Sequence, residues 1–207
     1  MMRPDRSFWR DPSGASAAEF ALVLPLMLLF LFGIIDVGRY AWTLNQAEKA
    51  VQIGARMAVV TDIVAPGIAA ANYIGLGTPA LTQGDPIPVA AFGLAECTAT
   101  SCRCVTAPCP TPNTGLGYNG AAFQAIASRM RQIEPTIGDA NVVVEYRGSG
   151  LGFAGDPSGS DIAPLTTVRL ADMDFAPITL LLFSANVPLP QVSHTLTMED
   201  GSGTASN

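Results

Sequence analysis

Residues 14–39 read GASAAEFALVLPLMLLFLFGIIDVGR, and the apolar run inside them governs every later step of the reading. From Phe20 to Ile35 no side chain carries a charge or a hydrogen-bonding group. Taken from Ala15 to Ile35, the stretch makes a helix of about 32 Å at about 1.5 Å per residue. That length matches the hydrocarbon thickness of a bilayer, about 30 Å. The segment therefore predicts one membrane-spanning helix. Arg3, Arg6 and Arg10 precede it and Asp36 follows it directly. The arginines favour a cytoplasmic N-terminus and an extracytoplasmic C-terminal part, an asymmetry that Arg39 weakens.

A cleaved secretory signal would show a shorter apolar core and a small-residue cleavage site after it. Here the core is followed by Asp36-Val37-Gly38-Arg39-Tyr40, which offers no A-x-A site. Glu19 also stands where the apolar core begins. A carboxylate at the centre of the hydrocarbon costs about 2.5–3.5 kcal/mol on insertion scales, and less near the interface. One turn into the helix, Glu19 can reach the headgroups or the positive helix N-terminus. It can also meet a cationic partner on another chain. Pro25 removes one backbone hydrogen bond and is expected to bend or loosen the helix, which membrane helices tolerate.

The helical pattern continues past Asp36. Leu44, Ala47, Val51, Gly54 and Ala58 keep a 3-4-3-4 spacing, a seam that holds one side of a helix against a partner. Ala50, Gly54 and Ala58 form a small-xxx-small row that permits close approach. One helix is expected from about Ala17 to about Thr61, ended by Pro66 and Gly67. Residues 62–118 are rich in Gly, Pro, Ala and Thr, with a short helix expected over 69–74 and an edge strand over Val89–Leu94. Asn119 is placed to cap a second helix over Ala121–Glu134, with Phe123, Ile126, Met130 and Ile133 on its buried face. Asn141–Tyr146, Thr166–Leu170 and Val192–Met198 have the β-branched or alternating composition of strands. The Leu-rich run Ile178–Phe183 is too short to span a bilayer and is expected to cover the sheet or to meet another subunit. The tail, residues 200–207, is small and polar and is expected to be disordered. The sum is an α+β fold: a long N-terminal transmembrane and stalk helix, a second helix, and a small antiparallel sheet of three or four strands.

Composition narrows the chemistry. The net charge is −6, and the few basic residues do not cluster beyond the first ten positions. A broad nucleic-acid-binding patch is therefore not expected. A single histidine, His194, and a single lysine, Lys49, leave little for acid–base or Schiff-base catalysis, and no G-x-S-x-G occurs. Asp156, Asp161, Asp172 and Asp174 lack the spacing of a D-x-D-x-D-G calcium loop and read as scattered solvated carboxylates. The four cysteines, Cys97, Cys102, Cys104 and Cys109, form a C-x4-C-x-C-x4-C block. Zinc knuckles and thioredoxin-like motifs use other spacings. Two disulfides in an oxidising compartment are expected. Pairing Cys102 with Cys104 would close a tight ring, so Cys97 is expected to bond Cys102 or Cys104, and spacing leaves both open. No cofactor, metal or catalytic residue is expected.

The motif Gly14, Ala15-Ser16-Ala17-Ala18, Glu19-Phe20 has the form G-x-x-x-x-E-F. It resembles the processing site of prepilins in tight-adherence (Flp-type) systems. Its continuation, Ala21–Pro25 and then Gly33–Arg39, is similar to the TadE-like domain, with the likeness dense from residue 14 to about residue 58. The resemblance implies a pilin-like fold and a minor pilin or pseudopilin. It implies a cytoplasmic leader, 1–14, cut between Gly14 and Ala15 by a prepilin peptidase. Glu19 then becomes the fifth residue of the mature chain and pairs with the free N-terminal amine of a subunit. The chain divides into that leader, the spanning and stalk helix 15–61, the cysteine-bearing region 62–118, an extracytoplasmic domain 119–199 and the tail. The implied setting is the bacterial inner membrane, crossed once, with the domain in the periplasm and possible passage into the pilus. The implied partners are inner-membrane lipid, the peptidase, other pilin or pseudopilin subunits and the assembly machinery that builds an adhesive filament. Two alternatives stay open: an uncleaved TadG-like assembly protein, and a membrane-tethered binding or enzymatic domain.

Overall fold

The computed structural model describes residues 12–109, 115–157 and 159–199. The leader up to residue 11, with Arg3, Arg6 and Arg10, and the tail from residue 200 lie outside the described residues. The chain divides into two compact units, Met1–Trp42 with Asp174–Val187, and Thr43–Met173 with Pro188–Asn207.

Helix α1 runs from Pro12 to Val60 and contains Pro25. It starts several residues before the expected Ala17. A proline is well tolerated there, because the first N–H groups of a helix have no intrahelical acceptor and the ring presets φ. In the second unit the helix is amphipathic in the way its small residues allow. Ala47, Ala50, Val51, Gly54, Ala55, Ala58 and Val59 are buried, while Glu48, Lys49, Gln52 and Arg56 are exposed. Gly54 shows why the row must be small: a Cβ there would lie 2.8 Å from Met130 Sδ and 3.3 Å from Val168 Cγ1.

The sheet that α1 meets has five strands, against the three or four expected. They are β1 (Leu94–Cys97), β2 (Cys102–Thr106), β3 (Val142–Arg147), β4 (Leu165–Leu170) and β7 (Val192–Thr197), in the order β2-β1-β3-β4-β7. All neighbours are antiparallel. Central β3 carries the sequence VVVEYR and is buried along most of its length, whereas β4 alternates between buried and half-buried positions. Period-2 side-chain alternation gives the sheet one apolar and one polar face. Cys97, Val144, Val168 and His194 lie in one transverse row on the apolar face. Arg103, Glu96, Glu145, Thr167 and Thr195 lie in another on the polar face.

Helix α3 (Gly120–Arg131) packs Ala122, Phe123, Ile126, Ala127 and Met130 inward. Asn119 caps it as the sequence predicts, its side chain accepting from Ala122 N–H at 3.1 Å. The buried Tyr146 hydroxyl accepts from Val64 N–H at 3.1 Å, tying β3 to the segment that follows α1. Burial holds the Tyr146 phenol far above its ordinary range.

Three local expectations are corrected. Val89–Leu94 is no edge strand: Val89–Ala91 forms a 3-10 turn after Pro86 and Pro88, and β1 begins only at Leu94. Between them Gly93 passes so close to β2 that a Cβ would sit 2.0 Å from Thr106 O. The short helix expected over 69–74 is α2, Pro66–Ala69, set earlier because Pro66 occupies its first turn. Asp161 is buried rather than solvated, accepting from Tyr73 N–H at 2.8 Å and Asp156 N–H at 3.0 Å.

The connection between β4 and β7 bears on function. Leu170 and Val192 are directly paired, so a tight turn would suffice, yet the chain leaves the sheet for the whole of 171–191. That excursion contains β5 (Asp174–Phe175), a 3-10 turn at Leu181–Phe183 and β6 (Val187–Pro188), with β5 paired to β6.

Candidate functional site

In the first unit α1 is apolar on every side. Only 6% of its most apolar window, of mean hydropathy 2.6, is buried. Leu22, Leu26, Phe30 and Ile34 are exposed by 64–80%. A helix that is apolar all round must be buried by something outside itself, either lipid or other helices. The chain thus has one helix long and apolar enough to cross a membrane.

The G-x-x-x-x-E-F motif lies at the start of this helix. Gly14 and Ala15 fall in its first turn. Glu19 and Phe20 are exposed, and Glu19 makes no ion pair with any described residue. The helix continues through Pro25. Ala50, Gly54 and Ala58, on the same helix, are buried inside the second unit, where the small-residue row packs against α3 and β4 of its own chain.

Asp36 is the functional-looking residue that the sequence reading left without a role. It directly follows the apolar run and is 6% exposed. Its carboxylate accepts from Ile178 N–H at 2.8 Å, Thr179 N–H at 2.8 Å, Thr179 Oγ1 at 2.9 Å and Arg39 Nη1 at 3.0 Å. Four donors fill the acceptor sites of two carboxylate oxygens. Arg39 also donates to Ala176 O at 3.4 Å and lies 5.1 Å from the Phe175 ring centroid, a cation–π distance. Tyr40 meets the same ring edge-on at 5.6 Å. The excursion is thereby bound to α1, where its apolar run ends, by one saturated carboxylate, one guanidinium and a ring pair. The available signal was an aspartate at the end of the apolar run together with an uncharged Pro-Ile-Thr far along the chain. Nothing in the sequence joins the two.

The cysteines form two disulfides, Cys97–Cys102 and Cys104–Cys109. Cys102 is thus the partner of Cys97, of the two that spacing left open. Cys97 and Cys102 are paired residues of the β1/β2 hairpin, while Cys104–Cys109 ties β2 to the Pro108 segment after it, so half of the block is sheet and half the pinned loop expected.

A cavity of about 610 Å³ in the second unit is lined by apolar and proline-rich positions, among them Leu76, Pro79, Leu81, Pro86, Pro88 and Tyr73. The Tyr73 hydroxyl is buried with no hydrogen-bond partner among the described residues, and burial beside Asp161 pushes its proton affinity well up. A second hollow, of about 360 Å³, brings Glu48 and His194 to one rim. Among the described residues no group of three or more His, Cys, Asp or Glu side chains is placed to hold a metal ion.

On the polar sheet face Arg169 donates to Glu145 at 2.6 Å and to Glu96 at 2.9 Å, and Arg103 donates to Glu96 at 2.7 Å. Partial burial alone would raise the Glu96 carboxyl. The bonds and charges of Arg103 and Arg169 outweigh it and hold Glu96 below its ordinary value. This network joins β1, β2, β3 and β4.

Against known families, residues 14–56 match the model described as "TadE-like protein", about a fifth of the chain. No curated protein and no solved structure matches the chain significantly.

Proposed function

We propose that the chain is a minor pilin or pseudopilin of a Flp-type system, held in the inner membrane by α1 with its N-terminus cytoplasmic until it is drawn into assembly. The observation that carries this reading is a coincidence of position. The TadE-like match begins at Gly14, where G-x-x-x-x-E-F opens a helix whose apolar surface is left uncovered. Cleavage follows Gly14 and leaves Ala15 as the new amino terminus. The Gly14–Ala15 bond sits in the first helical turn, where Pro12, Ser13 and Gly14 include two weak helix formers, so opening that turn for a peptidase costs little. The small residues at 15–18 let an enzyme and then a neighbouring helix approach closely.

Glu19 supplies directionality. Between helices, with little water present, its carboxylate attracts an ammonium far more strongly than in water. An incoming subunit's new amine is such a group. The partners are other pilin or pseudopilin subunits and the assembly machinery, and the work is binding and ordering rather than turnover. Replacing Glu19 with Ala tests this: the variant inserts into the membrane, but its recovery with partner subunits, per mature chain, falls by about tenfold or more, equivalent to about 1.4 kcal/mol. Undiminished co-recovery of the variant would remove Glu19 from assembly and the proposal with it.

A further inference from the structure

The excursion between β4 and β7 has an unusual surface. From Phe175 to Leu189 it contains no charged side chain. Its buried anchor points are Phe175, against Arg39 and Tyr40, and the Ile178 and Thr179 amides on Asp36. Beyond them the chain makes one 3-10 turn, Leu181–Phe183, ended by Ser184 at φ +50°. Leu181 is 71% exposed, Phe183 76% and Ile178 41%. Leu181 and Phe183 thus face outward, just past the Ile178 and Thr179 amides that Asp36 holds.

The level at which it is pinned identifies what covers it. Asp36 is the first polar residue after the run that fits the hydrocarbon layer, so it stands where acyl chains give way to headgroups. Residues flanking it on α1, Ile35 and Val37, are themselves exposed by 43% and 70%. Trp42 is 68% exposed less than two turns further on, and Tyr40 and Arg39 lie between. Aromatic and basic residues in that position are characteristic of a membrane–water boundary. A segment fastened to Asp36, lacking charge and presenting Ile, Leu and Phe outward, meets the same lipid surface as the helix beside it.

We propose that Ile178, Leu181 and Phe183 form a second membrane contact, an uncharged foot inserted shallowly in the leaflet that surrounds Asp36. Its partner is the boundary between phospholipid headgroups and acyl chains. Such contacts reach about 5–10 Å into that boundary. The foot fixes the rotation of α1 about its axis, because a helix that is apolar on all sides has no preference of its own for which face it turns toward a neighbour. This inference rests on the reading of α1 as a spanning helix.

The test uses the full chain in phospholipid vesicles, with Trp9 and Trp42 replaced by Phe and a single tryptophan placed by Phe183→Trp. Leu181→Trp serves as an independent second probe, and Phe30→Trp reports on the span itself. Tryptophan fluorescence is quenched by lipids brominated near the glycerol end or near the methyl end of the acyl chain, and separately by aqueous acrylamide. The foot predicts that the residue 183 and 181 probes lose about half their emission or more to shallow bromines and less to deep ones, at the depth quoted for interfacial contacts. The residue 30 probe is quenched most by deep bromines. Quenching of the 183 and 181 probes by acrylamide alone, with the residue 30 probe still quenched by lipid, overturns the foot and leaves the spanning helix. Protection of both probes from lipid and acrylamide alike means that a second copy of the chain covers them, and also overturns it. Failure of the residue 30 probe to meet any bromine overturns the spanning helix, and the foot with it.

Discussion

Glu96 is a carboxylate whose neighbours decide its charge. It lies on β1 between Arg103 of β2 and Arg169 of β4, and the two guanidinium groups outweigh the burial that would favour its protonated form. Its folded-state pKa is therefore lower than its unfolded one. Such a group stabilises the fold fully above the unfolded value of about 4.3, and that contribution is lost as pH falls through the folded pKa. Glu96→Gln removes the charge while keeping the shape. At neutral pH the variant is expected to lose about 1.5–3 kcal/mol, the range for hydrogen bonds to charged groups. The gap from the parent chain should narrow as the solution is taken well below pH 4. Urea unfolding at both pH values measures it. A constant gap would mean that Glu96 acts through packing alone. Asp36 accepts four hydrogen bonds to the two that Glu96 accepts, and three of the four come from a loop rather than from the sheet.

At the scale of the element, α1 uses small residues in two settings. Gly33 has no atom within 4 Å of where a Cβ would stand, whereas at Gly54 that position is already taken by Met130. Gly54→Leu is expected to destabilise the second unit by about 1–3 kcal/mol, the usual cost of overfilling a packed site. Gly33→Leu should leave its unfolding transition unchanged, which paired thermal melts in detergent will show. Equal effects would contradict the packing described for Gly54. These elements also show what the sequence could reveal. Helix α1, α3 with its Asn119 cap, and strands β3, β4 and β7 were legible because each signal is local: an apolar run, a 3.6-residue stripe, a β-branched stretch. Strands β1 and β2 were not, since Leu94–Cys97 and Cys102–Thr106 are short and surrounded by proline and glycine, and the pairing of β1 to β3 is a long-range fact. For the same reason spacing could not choose a partner for Cys97, whereas the β1/β2 register places Cys102 opposite it. In the candidate site, Glu19 and Phe20 stood out as a motif, while the Asp36 contacts depended on a segment about 140 residues away in sequence.

For the molecule as a whole, the chain separates two tasks. The second unit closes its core with a five-stranded sheet, two helices and two disulfides. The first unit leaves its apolar surface open over most of α1 and over the turn at Leu181–Phe183. A closed core and an uncovered helix are what the proposed subunit, waiting in lipid and later passed to other helices, requires. The 171–191 excursion, inserted where a tight β4–β7 turn would have served the sheet, adds material beside α1 where its apolar run ends and none to the five-stranded ladder. The central claim is that this helix begins as a processed terminus. The most direct measurement is the intact mass and N-terminal residue of the membrane-expressed chain, with and without its prepilin peptidase. The account predicts a mature chain starting at Ala15 only when the peptidase is present. A chain that keeps residues 1–14 under both conditions, or one cut beyond Ile35, would contradict it.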